Sequence, residues 1–166
     1  LSSYLGQIEK YDATNREGHA AKVYFNAIFG MDFSRSSDNS INAALNYGYG
    51  LLLSAFNREI TVSGYLTQIG LFHTNVFNPH NFSCDLMEPY RVIVDRFVLD
   101  KGPTIFGTEE KHAMLSILND EVEIANTTQT VLNSIRVYCH SVFDALNEGD
   151  ISKIIFYQRE VLVIVL

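Results

Sequence analysis

The sequence predicts an all-α fold, a single helical bundle-like domain, on three observations. Apolar residues recur at three- and four-residue spacing, as in Ala20, Ala21, Tyr24, Phe25, Ile28 and again in Val131, Leu132, Ile135, Tyr138, Cys139, Val142, Phe143. Capping residues and glycines bracket those stretches, with Thr14 or Asn15 before and Gly30 after the first of them. The length of 166 residues with 47% hydrophobic residues suits one domain with a sizeable core.

Taken in order, Ser2 to about Thr14 reads as a short connecting helix, with Leu5, Ile8 and Tyr11 on one side. The next helix runs to Gly30 and carries Glu17 in its first turn, on the side of Ala20, Ala21 and Tyr24. An acid there also suits the helix dipole. Residues 31–37 are a loop. Asp38 is then expected to cap the longest helix, which runs to about Gly64 and is apolar over much of its circumference, the mark of a central helix. Asn39, Asn42 and Asn46 form a polar seam along it, and asparagine in a helix interior needs a reason. Hydrogen bonding between elements is the simplest one. Gly48 and Gly50 permit a close approach, by a helix or by a phosphate backbone, and Arg58 and Glu59 are expected to end the helix on a wet face.

Tyr65 to Asn81 is rich in Gly, Asn and Pro and reads as irregular, with His73 inside it. Helix resumes from about Phe82, and Pro89 removes a backbone bond and predicts a kink. Asp85, Glu88 and Arg91 fall at i, i+3, i+6, a row that Val92 and Asp95 extend. After the break at Lys101–Pro103, short segments around 108–118 and a long helix from about Thr128 to Leu146 complete the set. Residues 151–166 are β-branched and read as a C-terminal strand or packed tail.

Composition bounds the function. No apolar run reaches the roughly 18 residues of a membrane span, and nothing resembles a signal peptide, so a cytoplasmic location and no membrane partner are expected. Cys84 and Cys139 lie far apart and outside any C-x-x-C frame, which suits free thiols. The net charge of −7 is unevenly spread. Residues 1–96 hold seven Lys/Arg against nine Asp/Glu, and residues 97–166 hold five against ten. The acidic excess therefore lies mostly in the C-terminal part, and overall charge does not decide what one face binds.

His73, Asp85 and Glu88 carry the chemistry that periodicity cannot explain. An imidazole and two carboxylates in a short, apolar-flanked stretch are the donor types that Mg²⁺ and Mn²⁺ accept. A salt-bridged cluster with Arg91 would account for the same residues, so both readings stay open at this point. His19, His80, His112 and His140 lack such company and read as surface or capping histidines.

Four ordered blocks then bear on the choice: EGHAAKVYF, D-x-x-INAALNYGY, SGYLTQIGLFH and CDLMEPYR. Together they resemble the helical C-terminal catalytic domain of the CRISPR-associated adaptation integrase/endonuclease, the protein that is first in the Cas numbering. LNYGYGLLLSAFNREI and SCDLMEPYR are most similar to the type II-A branch. The resemblance is strong over about residues 13–100 and looser beyond. It implies that Glu17, His73 and Glu88 hold a Mg²⁺ or Mn²⁺ ion, with Asp85 either a fourth ligand or a residue that orients one. It also implies an N-terminal β domain that this chain lacks. Implied partners are double-stranded DNA (prespacer and repeat), a second copy in the full-length protein, and the second subunit of the adaptation complex. Other type II-A adaptation proteins and the effector nuclease complete the implied set. Arg16, Lys22, Arg58 and Arg91 become candidate phosphate contacts, which position DNA without reading its bases. The implied reaction joins the 3′-hydroxyl ends of spacer DNA to the repeat by transesterification. The alternatives are a helical metal-dependent phosphohydrolase acting on small phosphate esters and a non-enzymatic helical interaction domain.

Overall fold

The computed structural model describes residues 16–158. The helix expected over Ser2–Thr14 and the end of the tail, 159–166, lie outside the described residues. Six helices and one hairpin follow: α1 (Arg16–Phe29), α2 (Ser40–Val62), α3 (Asn81–Met87), α4 (Arg91–Lys101), α5 (Thr108–Leu115), β1 (Glu121–Ile124), β2 (Thr127–Thr130) and α6 (Val131–Glu148). The fold is all-α apart from the hairpin.

α2 is the central element, as its all-round apolar character requires. It buries Leu45, Leu52, Phe56 and Ile60 completely and packs against α3, α4, α5 and α6. Gly48 faces α4 so closely that an added Cβ would strike the Val94 side chain, whereas Gly50 faces open space. The close approach therefore belongs to Gly48 alone. Asn39, rather than Asp38, caps α2, its side chain accepting from the Asn42 N–H at 2.8 Å. Glu59 is buried rather than wet; the exposed Arg58 folds back on it at 2.7 Å.

The asparagine seam has a definite use. Asn42 donates to the carbonyls of Ser34 and Ser37 at 2.8 and 2.7 Å. Arg35 reaches Asn42 Oδ1 at 2.5 Å and Asn46 Oδ1 at 2.7 Å. The seam thus fastens the 31–37 loop to α2, which satisfies backbone groups that would otherwise be stranded at a loop.

Pro89 does more than kink a helix. It ends α3, and a single 3₁₀ turn, Glu88–Tyr90, joins α3 to α4. Tyr90 is fully buried there against Phe56, ring centroids 5.3 Å apart. The α6 stripe packs as its spacing predicts, with Val131, Ile135 and Cys139 completely buried. Both Cys84 and Cys139 are free. The β1–β2 hairpin was not legible in the sequence. Its strands are four residues each, and its two-residue turn places Ala125 and Asn126 at φ 52° and 60°. An Ala-Asn turn lacks the glycine that normally announces such a connection. Among the described residues no helix is long and apolar enough to cross a membrane.

Candidate functional site

The irregular segment between α2 and α3 is organised by one carboxylate. Asp85, on α3, accepts the backbone N–H of Leu71 at 2.5 Å and of Phe72 at 3.0 Å on Oδ2. Its Oδ1 accepts the His73 N–H at 3.0 Å and meets His73 Nδ1 at 2.5 Å. Gly70 is required by this nest, because a Cβ there would lie 2.7 Å from Asp85 Oδ2 and against the His73 carbonyl. A carboxylate only accepts, so His73 Nδ1 carries a proton, and in the neutral ring the lone pair is then on Nε2. That is the tautomer in which a histidine ligates through Nε2, with a carboxylate behind it to fix the ring. Asp85 itself spends both oxygens on the loop, its side chain only 7% exposed.

Glu88 opens the 3₁₀ turn one helical turn further on. Its Oε1 pairs with Arg91 at 2.9 Å, both side chains being about 40% exposed. The Glu88 carboxyl is pushed above the ordinary glutamate range, first by loss of water contact. Arg91 opposes that shift, the negative charges of Glu17 and Asp85 add to it, and His73 opposes it. Glu17, His73, Asp85 and Glu88 therefore share one electrostatic neighbourhood although they come from α1, a loop, α3 and the 3₁₀ turn. A carboxyl raised by neighbouring negative charge stands in surroundings that a divalent cation relieves, and the donor set suits Mg²⁺ or Mn²⁺. The cage is not closed as placed. Among the described residues no three His, Cys, Asp or Glu side chains stand close enough together to hold a metal ion. Arg91 holds one Glu88 oxygen instead.

Beneath this surface lies a network that the sequence reading passed over. Asp95, 4% exposed on α4, accepts the Tyr24 hydroxyl from α1 at 2.8 Å and the Tyr49 hydroxyl from α2 in a very short bond. The guanidinium carbons of Arg35 and Arg91 lie 5.6 and 5.3 Å from the Tyr49 ring centroid. Burial pushes the Asp95 carboxyl up, while the two hydroxyls and both arginines hold it down. The only sequence signal was spacing: Asp95 continues the Asp85–Glu88 row, and Tyr24 lies two turns beyond Glu17.

The cationic candidates fare differently. Arg91 is built into the site by Glu88 and Tyr49, and its Nε is buried without a partner. Arg58 pairs with Glu59 at 2.7 Å. Lys22 is exposed on α1 and Arg16 is half-buried at its start. Among the described residues Glu17 is exposed, and the His73 and Glu88 side chains are 34% and 41% exposed. A groove of about 700 Å³ between α4 and β1, lined by Val92, Arg96, Val122 and Tyr157, contains none of Glu17, His73 and Glu88.

The family profile described as CRISPR associated protein Cas1 matches residues 8–102. The CRISPR-associated endonuclease Cas1 of Neisseria meningitidis serogroup C (strain 8013) is 41% identical over 99 residues, covering 60% of this chain and 33% of that protein. The CRISPR-associated endonuclease Cas1 1 of Methanospirillum hungatei JF-1 is 24% identical over 163 residues, covering 81% of this chain and 49% of that protein. The chain spans about a third to a half of the length of these relatives. A solved structure, a casposase bound to integration product, shares the fold at a TM-score of 0.70 and 20% identity, covering 85% of this chain and 51% of that chain.

Proposed function

Because the chain belongs to the CRISPR associated protein Cas1 family, we propose that it is the helical catalytic domain of a metal-dependent DNA integrase/endonuclease of CRISPR adaptation. The observation that carries this reading is the His73–Asp85 pair at 2.5 Å, with a Glu88 carboxyl that feels the charges of Glu17, His73 and Asp85; each of the four is a donor or a donor's support.

The residues that would hold the ion are Glu17, Glu88 and His73 through Nε2. Asp85 serves as the orienting residue, since its oxygens are committed to the 71–73 amides and to Nδ1. A bound Mg²⁺ or Mn²⁺ supplies Lewis acidity toward a phosphodiester oxygen and lowers the pKa of an attacking hydroxyl. Two carboxylates leave a divalent ion open positions for phosphate oxygens. Arg91 pairs with Glu88 Oε1, and from that position its guanidinium would stand beside a bound phosphate, where it could carry charge developing in the transition state. The reaction is an in-line transfer: a DNA 3′-hydroxyl forms the new P–O bond, another 3′-oxygen leaves, and the hydroxyl proton passes to solvent. No nucleophilic Ser or Cys is needed.

The open setting of the site suits a polymer rather than a small phosphate ester, which would call for an enclosing pocket. The substrates proposed are duplex prespacer and repeat DNA, and the proposed assembly is a homodimer with the second adaptation subunit. A structural neighbour is a casposase bound to integration product, in keeping with that choice.

The test is strand transfer of a short duplex with free 3′-hydroxyls into a supercoiled repeat plasmid, with Mn²⁺ or Mg²⁺ and the partner subunit present. His73→Ala and Glu88→Ala are each expected to abolish product. Product surviving either substitution would falsify the site assignment.

A further inference from the structure

α1 contributes an expected ligand while gripping the bundle weakly. Of its 14 residues only Ala20 and Ile28 are buried, with Phe25 and Phe29 partly buried against the core, and apolar packing alone sets the register of one helix along another only loosely. Glu17 sits in its first turn, so a slide of one residue, about 1.5 Å, would carry this carboxylate away from Glu88.

A directional contact that opposes such a slide is Tyr24 to Asp95 Oδ2 at 2.8 Å. Tyr24 lies seven residues after Glu17, and Asp95 seven after Glu88. Counted along each element, the Tyr24–Asp95 bond is therefore about two turns from Glu17 on one side and from Glu88 on the other. The second oxygen of Asp95 takes the Tyr49 hydroxyl, which fixes the carboxylate to the central helix. Tyr49 is in turn stacked by Arg91, the partner of Glu88. Arg35 lies over both Phe25 of α1 and Tyr49, at 5.5 and 5.6 Å. An apolar side chain in place of the Asp95 carboxylate would avoid its desolvation, but it would lose the direction that two separate acceptor oxygens impose.

We infer that Asp95 is a positioning residue: by binding Tyr24 and Tyr49 on separate oxygens, it fixes the register of α1 against α4 and so sets where Glu17 stands relative to Glu88 and His73. This rests on the metal-site reading for its consequence but not for its geometry.

Two measurements on the whole chain test it: Mn²⁺ titration by calorimetry, and amide hydrogen exchange of α1. Tyr24→Phe, which removes one hydroxyl and no volume, and Asp95→Asn are each expected to weaken Mn²⁺ binding about tenfold. Both should speed exchange in α1 while leaving α6 protected. In a Glu17→Gln background Tyr24→Phe should cause no further loss of Mn²⁺ affinity, because its effect passes through Glu17. Unchanged Mn²⁺ affinity in both variants, or an undiminished loss in the Glu17→Gln background, overturns the inference, because a purely structural role would lower the melting temperature alone. If the unsubstituted chain binds no Mn²⁺, the metal reading fails, and α1 exchange alone then decides the register: faster exchange supports it and unchanged exchange refutes it.

Discussion

His73 Nδ1 and Asp85 Oδ1 stand 2.5 Å apart, and the same carboxylate takes three consecutive backbone N–H groups from residues 71–73. A segment with almost no regular structure is therefore held by side chains of the following helix, Asp85 taking these amides and Asn81 donating to the carbonyls of Gln68 and Asn75 at 3.0 and 2.8 Å. Order in this loop is polar rather than hydrophobic. Leu71, Val76 and Phe77 are all exposed, Phe77 at 91%.

Removing that carboxylate should release the loop. Asp85→Ala deletes four charge-assisted bonds, each worth about 1.5–3 kcal/mol at most and less in sum. A loss of about 3 kcal/mol in urea unfolding is expected, with rapid exchange of the Leu71, Phe72 and His73 amides. Slow exchange of those amides in the variant would show that something else holds the loop.

The Glu88 carboxyl makes stability pH-dependent in a definite direction. Its value is raised in the folded chain, chiefly by loss of water contact, and ordinary when unfolded. As pH rises between the two values the unfolded chain has already lost its proton while the folded chain still binds one. Folding stability therefore falls through that window and stays lower above it. Glu88→Gln should melt at a higher temperature than the parent chain at pH 7, and the two should coincide below about pH 4. Melting curves from pH 3.5 to 8 decide this, and a variant that melts lower at neutral pH would mean that the Arg91 pairing outweighs desolvation.

The two glycines of α2 should respond in opposite ways to the same change. Gly48→Ala drives a methyl into Val94 and to within 3.2 Å of Met114 Sδ, and should cost about 1–3 kcal/mol. Gly50→Ala meets nothing within 4 Å and should gain about 0.5–1 kcal/mol through helix propensity. Chemical denaturation of the pair is sufficient, and equal effects would contradict the packing described.

Asn42→Ala should destabilise more than an ordinary helix substitution. It strands the carbonyls of Ser34 and Ser37 and removes an acceptor from Arg35, at about 1–3 kcal/mol for the unsatisfied groups. Asn46→Ala, which loses one exposed contact, should cost well under half as much in the same urea titration.

What the sequence determined by itself was the helical periodicity, the central α2 and the irregular 65–80 segment, and it also nominated the four residues proposed for the site. These rest on local rules: spacing of apolar residues, glycine and proline punctuation, and blocks of residues similar to a known family. The β1–β2 hairpin escaped because its Ala-Asn turn carries no local signal, and Glu59 was misplaced on a wet face because only packing shows that Arg58 covers it. The division of labour between Asp85 and Glu88 was likewise undecidable from an i, i+3 spacing that treats them alike. Tertiary structure separates them, because α3 directs one acid into a loop of unpaired amides while the Pro89 break leaves the other at the surface beside Arg91. The Tyr24–Asp95 contact joins residues 71 positions apart. A bond of that kind exists only once the helices have packed, so no reading of either helix alone could contain it.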